Sequence, residues 1–256
     1  MGKLISDCGS WQVYGNSSPK ILIAGHSHTL SLYSALSQNE KFTSNFGVVA
    51  QTDFSTIKQQ DGSYWEFVRS ISNRQPTAIS WNGNQHNIHF LLENKLEFNA
   101  IGMSFRKGWP VVPISQIKEL FKPTFLELEQ VLNELPKSTE VSLLGTVAPK
   151  EKGFLDQHLS YDTYFVNIGK KYGISKQELR ASSNEIRTLM WKVTQNMTEQ
   201  LSKELNYKFI PTPADTYNEN YILQPKYYAQ DLTHANGTFG VKMLEAIQDF
   251  YELNDV

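Results

Sequence analysis

The sequence predicts an α/β protein, a three-layer α/β/α sandwich around a central parallel sheet of about five strands. Three observations support this prediction. Several short apolar runs are nearly continuous rather than alternating, which is typical of parallel strands buried on both faces. Segments with helical periodicity lie between these runs. Of the 256 residues, 40% are hydrophobic and 20% are charged, which suffices for a large buried core.

The predicted strands are the β-rich runs at residues 20–24, 46–50, 77–81, 141–148 and 207–211. Helical periodicity marks the segments 29–36, 64–73, 114–135, 182–205 and 238–251. Ser182 and Glu185 form a capping-box pattern at the start of the clearest helix. Pro123 interrupts the third segment, which is therefore one helix or two. The residues predicted to face inward from the last helix are Met243, Leu244, Ile247 and Phe250.

A single domain over residues 1–256 is expected, with insertions near residues 85–113 and 153–173. Both insertions are rich in aromatic residues and are expected to wall a site beside the sheet. The formal net charge of −2 lacks the basic excess of nucleic-acid-binding proteins, so nucleic acid is not an expected partner. No apolar run approaches the length of a membrane span.

The compartment is predicted from cysteine usage and from the amino terminus. Cys8 is the one cysteine, so an internal disulfide is excluded and a reducing compartment is favoured. Residues 1–7 lack the apolar stretch of a signal peptide. We therefore expect a cytoplasmic protein, with a secreted form whose signal peptide was removed as the alternative. The residues indicate no particular oligomeric state.

Polar residues follow the predicted strands at the sheet edge where ligands usually bind. Gly25-His26-Ser27-His28 follows the first strand, and Asn84 follows the third. Asp231-Leu232-Thr233-His234 precedes the last helix. Because ligands of open α/β sheets bind beyond the carboxyl ends of the strands, these segments are expected to meet in one site.

These residue types match a nucleophilic serine site. A serine hydroxyl needs a base that takes its proton, and the base needs a partner that orients it. Ser27, His234 and Asp231 can fill these three roles. The negative oxygen formed in acyl transfer needs preorganised donors, which the side chain of Asn84 and the backbone N–H of Ser27 can supply.

The chain resembles the SGNH (GDSL-type) hydrolase superfamily over roughly residues 20–250. The family's Gly-Asp-Ser block reads Gly25-His26-Ser27 here, its Gly-Asn-Asp block reads Gly83-Asn84-Gln85, and its Asp-x-x-His block is Asp231 to His234. The resemblance implies a flavodoxin-like three-layer fold. It also implies Ser27 as nucleophile, His234 as base and Asp231 as its orienting group. The oxyanion hole would comprise the Ser27 N–H, a glycine N–H and the Asn84 side chain.

The sequence departs from the family pattern at three places. His26 replaces the aspartate of the first block, and Gln85 replaces the aspartate after Asn84. The glycine of the family's second block is either Gly62 or Gly47. Gly62 is favoured because it directly precedes a predicted helix, whereas Gly47 falls within a predicted strand.

The predicted function is therefore hydrolysis of an ester, a small acyl group on a sugar or another alcohol, through an acyl-serine intermediate. The expected partner is a small-molecule or glycan acyl ester, and no cofactor or metal is implied. His28 and His86 are expected to line the pocket. An O-acyltransferase would use the same triad, and a non-catalytic ligand-binding module would use the same fold.

A metal-dependent phosphoesterase is a further alternative. Histidines cluster in and beside the three blocks, and neutral imidazoles with Asp231 could bind a metal such as zinc. If the segment after the first strand were extended, His26 and His28 would share one side, with Ser27 turned away. The aspartate ligands usual in such enzymes are absent from the motifs.

Overall fold

The computed structural model describes residues 3–7, 11–51, 62–72, 75–81, 89–93 and 98–253. Its centre is one seven-stranded sheet with the strand order β1-β2-β4-β3-β5-β6-β7. The strands are β1 (Lys3–Asp7), β2 (Trp11–Gly15), β3 (Ile21–Gly25), β4 (Phe46–Gln51), β5 (Thr77–Ser80), β6 (Val141–Leu144) and β7 (Lys208–Ile210).

The five predicted strands are confirmed and form the parallel part of the sheet. β3 pairs in parallel with β4 and β5, and β6 pairs in parallel with β5 and β7. Numbered along the chain, these five strands have the doubly wound order 2-1-3-4-5 of flavodoxin-like folds. β1 and β2, which the sequence pattern did not predict, form a hairpin that adds to β4 in antiparallel orientation.

The described part of the chain contains seven α-helices. They are α1 (Thr29–Gln38), α2 (Gly62–Ser72), α3 (Ile114–Asn133), α4 (Lys152–His158), α5 (Thr163–Lys171), α6 (Asn184–Glu204) and α7 (Gly237–Phe250). None of the helices described is both long and apolar enough to cross a membrane.

The sheet is covered on both faces, which confirms the three-layer prediction. Ile21 and Ile23 of β3 pack in a cluster with α1 and α7. Leu22 and Ala24, whose side chains point to the opposite face, pack with α2 and α3. This is the alternation of side chains along a strand, and it explains why the run is apolar at every position.

Two local predictions are corrected, and one alternative that the sequence left open is decided. Ser183 caps α6, because its side chain accepts a bond from Ile186 N, so the predicted capping box at Ser182 and Glu185 is wrong. Glu185 instead accepts a hydrogen bond from Ser104 N. α3 continues through Pro123 as one helix. Phe250 lies 41% exposed at the end of α7, although it was predicted to face inward.

The insertion at 153–173 packs against the predicted catalytic loop. It folds into α4 and α5, which bury Leu155, Leu159 and Phe165 in a separate apolar cluster. Leu232, from the Asp-Leu-Thr-His segment, belongs to the same cluster. The insertion therefore supports one side of that loop. In the other insertion, residues 85–88 and 94–97 lie outside the described residues.

Candidate active site

The backbone at the end of β3 places Ser27 beyond the sheet. Gly25 has a φ of +147°, and a Cβ atom on it would lie 2.0 Å from the carbonyl oxygen of Ser80 on β5. The Tyr64 hydroxyl, from α2, accepts a bond from Gly25 N–H at 2.8 Å. His26 N–H donates to Ser80 O at 3.0 Å, and α1 begins at Thr29. The chain therefore turns sharply at a position that only glycine fits.

We expect Gly25→Ala to lower the free energy of unfolding by about 3 kcal/mol or more, through backbone strain and the clash with Ser80. Gly108→Ala is the matched control, since Gly108 also has a positive φ (+88°) but a Cβ atom on it would meet nothing within 4 Å. The control should cost only about 1 kcal/mol. Guanidinium unfolding of both variants measures the difference, and equal losses would contradict the proposed close approach.

Ser27, His234 and Asp231 form one hydrogen-bonded chain. The Ser27 Oγ atom lies 2.7 Å from His234 Nε2, and His234 Nδ1 lies 2.9 Å from Asp231 Oδ2. Because a carboxylate only accepts, Nδ1 carries the proton, and Nε2 is left to accept the serine hydroxyl. Ser27 and the pair Asp231 and His234, which the sequence motifs predicted to meet, are thus in direct contact although Ser27 lies 207 positions from His234.

The Asp231 carboxylate is held by its own loop. Its Oδ1 atom accepts bonds from the N–H groups of Thr233 at 2.8 Å and His234 at 2.7 Å. Partial burial by itself raises the pKa of this carboxyl. The hydrogen bond and charge of His234, with the two N–H donors, outweigh burial and hold the pKa well below its usual range. Asp231 is therefore ionised and oriented toward the imidazole.

The other predicted site residues have different outcomes. His28 is buried just before α1, and its ring centroid lies 4.7 Å from that of His234. Gly62 is the first residue of α2. Asn84 and His86 lie outside the described residues. Gly47 pairs with Leu22, three residues before the end of β3, and this placement favours Gly62 over Gly47 as the glycine of the oxyanion hole.

His26 and His28 lie on different sides of the chain. The His26 ring packs 4.3 Å from the Trp81 ring, whereas His28 packs against His234. Residues 26–29 form a turn, closed by the bond from Thr29 N to His26 O at 2.9 Å. Residues 26–28 are therefore not extended, and His26 and His28 do not share one side of the chain, as the metal alternative assumed. Within the described residues, no three His, Cys, Asp or Glu side chains are grouped so as to hold a metal ion.

Burial lowers the pKa of His26 to about 4. The unfolded chain binds a proton on this residue near its ordinary pKa, so folding stability falls as the pH drops below that value. We expect a loss of about 2 kcal/mol between pH 7 and pH 5 from this group. His26→Phe keeps an aromatic ring against Trp81 and should remove this part of the loss. Denaturant unfolding at the two pH values tests it, and an unchanged pH dependence in the variant would refute it.

Tyr64 and Lys150 contact the site but were not identified from the sequence. The Tyr64 hydroxyl, besides its bond from Gly25 N–H, lies 2.9 Å from Gly25 O and 3.0 Å from Val49 O. It thereby joins β3 to β4 directly before Ser27. The ammonium of Lys150 donates to backbone carbonyls of the loop that carries Asp231. No local pattern distinguishes either residue from an ordinary helix tyrosine or loop lysine.

Comparisons with known proteins give distant similarities only. No family model matches the chain, and no curated protein does. The chain is similar to a GDSL-like lipase from Bacteroides thetaiotaomicron (10% identity, 92% of this chain and 88% of that chain covered, TM-score 0.46). It is also similar to a catalytic mutant of an acetylxylan esterase from Geobacillus stearothermophilus (13% identity, 94% of this chain and 97% of that chain covered, TM-score 0.44). A carbohydrate acetylesterase from Sinorhizobium meliloti gives 10% identity, 91% and 98% coverage and a TM-score of 0.46. Similarities at this level do not assign a function.

Proposed function

We propose that this chain is a serine esterase of the SGNH type, which removes a small acyl group from a sugar or another alcohol. One observation supports this proposal above all: Ser27, His234 and Asp231 form a continuous hydrogen-bonded chain, with Ser27 Oγ 2.7 Å from His234 Nε2. This is the arrangement of nucleophile, base and orienting group that acyl transfer to serine requires.

The proposed reaction has two halves. Ser27 Oγ bonds to the ester carbonyl carbon, its proton passes to His234 Nε2, and the carbonyl oxygen becomes an oxyanion. When the oxyanion collapses, the bond to the alcohol oxygen breaks, and that oxygen takes the proton from His234. Water then attacks the acyl-serine, gives its proton to His234 and releases the acid, while Ser27 regains its proton.

Oxyanion stabilisation is part of the proposal. The expected donors are the backbone N–H groups of Ser27 and Gly62 and the side-chain amide of Asn84, as the family resemblance implies. Gly62 at the start of α2 fits this role, because N–H groups at a helix amino terminus lack partners within the helix. Donors preorganised in this way are among the largest contributions to acyl-transfer catalysis.

The insertion favours an alcohol that contains a ring. Tyr161, Tyr164 and Tyr172 are 80%, 55% and 72% exposed on or beside α5. Their segment packs on Leu232 within the loop of the triad. We infer that the exposed rings of this segment contact the apolar face of a sugar ring, and a glycan ester is therefore the proposed substrate.

A panel of esters tests the proposal. Acyl groups of increasing length on a chromogenic alcohol and on short xylan fragments are incubated with the wild-type chain, and the released acid is measured. We expect the chain to release short acyl groups, and we expect a chelator not to inhibit this release. No acid from any ester would contradict an esterase, and loss of activity with chelator would favour the metal alternative. Excess acceptor alcohol separates hydrolysis from acyl transfer, because a transferase yields a new ester instead of the acid.

A further inference from the structure

Lys150 is a buried cation directly behind the loop of Asp231. It follows β6 and is 2% exposed. The ammonium donates to the carbonyl oxygen of Ala229 at 2.8 Å and to that of Asp231. The rings of Phe154 and Tyr228 lie 5.2 Å and 5.1 Å from it. Burying an ammonium is costly unless its protons are bonded, so this environment is built around the charge.

A second buried cation fixes the backbone of Lys150. Arg187 of α6 is 0% exposed, and its guanidinium donates to the carbonyl oxygen of Lys150 and to the side chain of Asn184. Its Nε atom donates to Ser182 O at 3.0 Å. Lys150 is thereby anchored to the long helix α6 rather than to a free loop.

The loop of Asp231 is closed at its base by two backbone bonds of its own. They run from Asn236 N to Tyr227 O at 2.9 Å and from Ala229 N to His234 O at 3.2 Å. Beyond this base, Leu232 supplies an apolar contact to the insertion. Lys150 supplies a polar contact from another part of the chain, at the carbonyl of the same residue whose carboxylate orients His234.

We propose that Lys150 is a positioning residue: its ammonium holds the backbone of Ala229 and Asp231 so that the Asp231 carboxylate stays against His234 Nδ1. The inference rests on the proposed esterase function and concerns the same triad. It follows from geometry, because a displacement of about 1 Å in a catalytic group can cost on the order of 10²-fold in rate.

The ammonium also makes this contact sensitive to pH. Burial lowers the pKa of Lys150 to about 8, and the nearby Asp231 charge limits the lowering. The titratable and charged groups around Lys150 and its flanking rings are Asp231, Tyr228, Glu151, His158 and Arg187. Because an arginine stays charged throughout this range, Lys150→Arg separates titration of Lys150 from titration of these neighbours.

Ester hydrolysis by four proteins tests the proposal: wild type, Lys150→Met, Lys150→Arg and the control Lys203→Met. Lys203 pairs with Glu199 on the exposed side of α6. We expect Lys150→Met to lower kcat by about 10²-fold with little change in KM. In wild type we expect kcat to decline near pH 8 as Lys150 loses its proton. Lys150→Arg should keep most of the activity at neutral pH and lack this decline. The control should match wild type.

Two results would overturn the proposal. One is a kcat within twofold of wild type in a folded Lys150→Met protein. The other is an alkaline decline that persists in Lys150→Arg, which decides the question even if Lys150→Met does not fold.

A spectroscopic measurement separates this proposal from the proposed function. The proton between His234 Nδ1 and Asp231 should give a far-downfield proton resonance in wild type without any substrate. Its loss in Lys150→Met supports positioning, and its persistence at the wild-type shift overturns it. If wild type hydrolyses no ester, the esterase proposal fails, while this resonance still reports on the role of Lys150.

Discussion

Ser27→Ala is expected to lower kcat/KM for an acyl ester by about 10⁴–10⁶-fold, because the variant has no hydroxyl to form the acyl intermediate. In the structure, Ser27 Oγ is the atom that His234 Nε2 contacts at 2.7 Å. The change removes one oxygen from a half-buried position beyond β3, so the fold should be retained. The loss should appear in kcat, with the substrate still bound.

Intact mass after incubation with a fluorophosphonate probe measures the same prediction directly. Wild type should gain one adduct, and Ser27→Ala should gain none. Ser37→Ala is the matched control on α1, since the Ser37 hydroxyl donates to the carbonyl of Ser34 at 2.8 Å, away from the triad. An adduct on Ser27→Ala at the wild-type rate would show that another nucleophile reacts and would contradict the proposed role of Ser27.

Asp231→Asn is expected to lower kcat by about 10⁴-fold while leaving KM almost unchanged. The amide has nearly the shape of the carboxylate, and its oxygen can still accept the N–H groups of Thr233 and His234. Its NH₂ group, however, would donate to His234 Nδ1. The imidazole would then carry its proton on Nε2, where it could no longer accept the proton of Ser27.

The control for this variant is Asp215→Asn, which removes a surface carboxylate that pairs with Lys242 at 3.2 Å. It should have wild-type kcat and unfold at nearly the wild-type denaturant concentration, whereas Asp231→Asn should stay folded but unfold at a lower concentration, because it lacks the carboxylate whose pKa the folded state lowers. Activity of Asp231→Asn within tenfold of wild type would mean that a different group orients His234. The contact of 2.9 Å between Asp231 Oδ2 and His234 Nδ1 would then stabilise the loop without contributing to catalysis.

Local patterns predicted the parallel strands well and the helix ends less well. The run of β3 is apolar at every position because helices cover both of its faces, and such a run is visible in the sequence alone. The start of α6 was misplaced by one residue. Ser182 and Ser183 are both good caps, and the choice depends on contacts with other segments: Ser182 O accepts from Arg187 Nε, and Glu185 bonds to Ser104.

The first hairpin was missed for a similar reason. β2 has an alternating pattern over only a few residues, and it gains its partners from β4, which lies far along the chain. Phe250 continues the apolar stripe of α7 but remains 41% exposed, whereas Tyr251 and Leu253 directly after the helix pack against the core. The pattern of β2 was too short to predict its pairing with β4, and the helical periodicity of α7 did not predict the exposure of Phe250.

The sequence by itself determined the α/β class, the five parallel strands and the three residues proposed as the triad. It could do so because strand periodicity is local, and because the carboxyl ends of parallel strands share one edge, which made a meeting of Ser27, Asp231 and His234 predictable. Only the tertiary structure decided which groups hold them there. The contact between Lys150 and the Asp231 loop joins residues 81 positions apart, and that between Tyr64 and Gly25 joins residues 39 apart. Such contacts depend on the three-dimensional packing of whole elements, which leaves no periodic or motif signal in the chain.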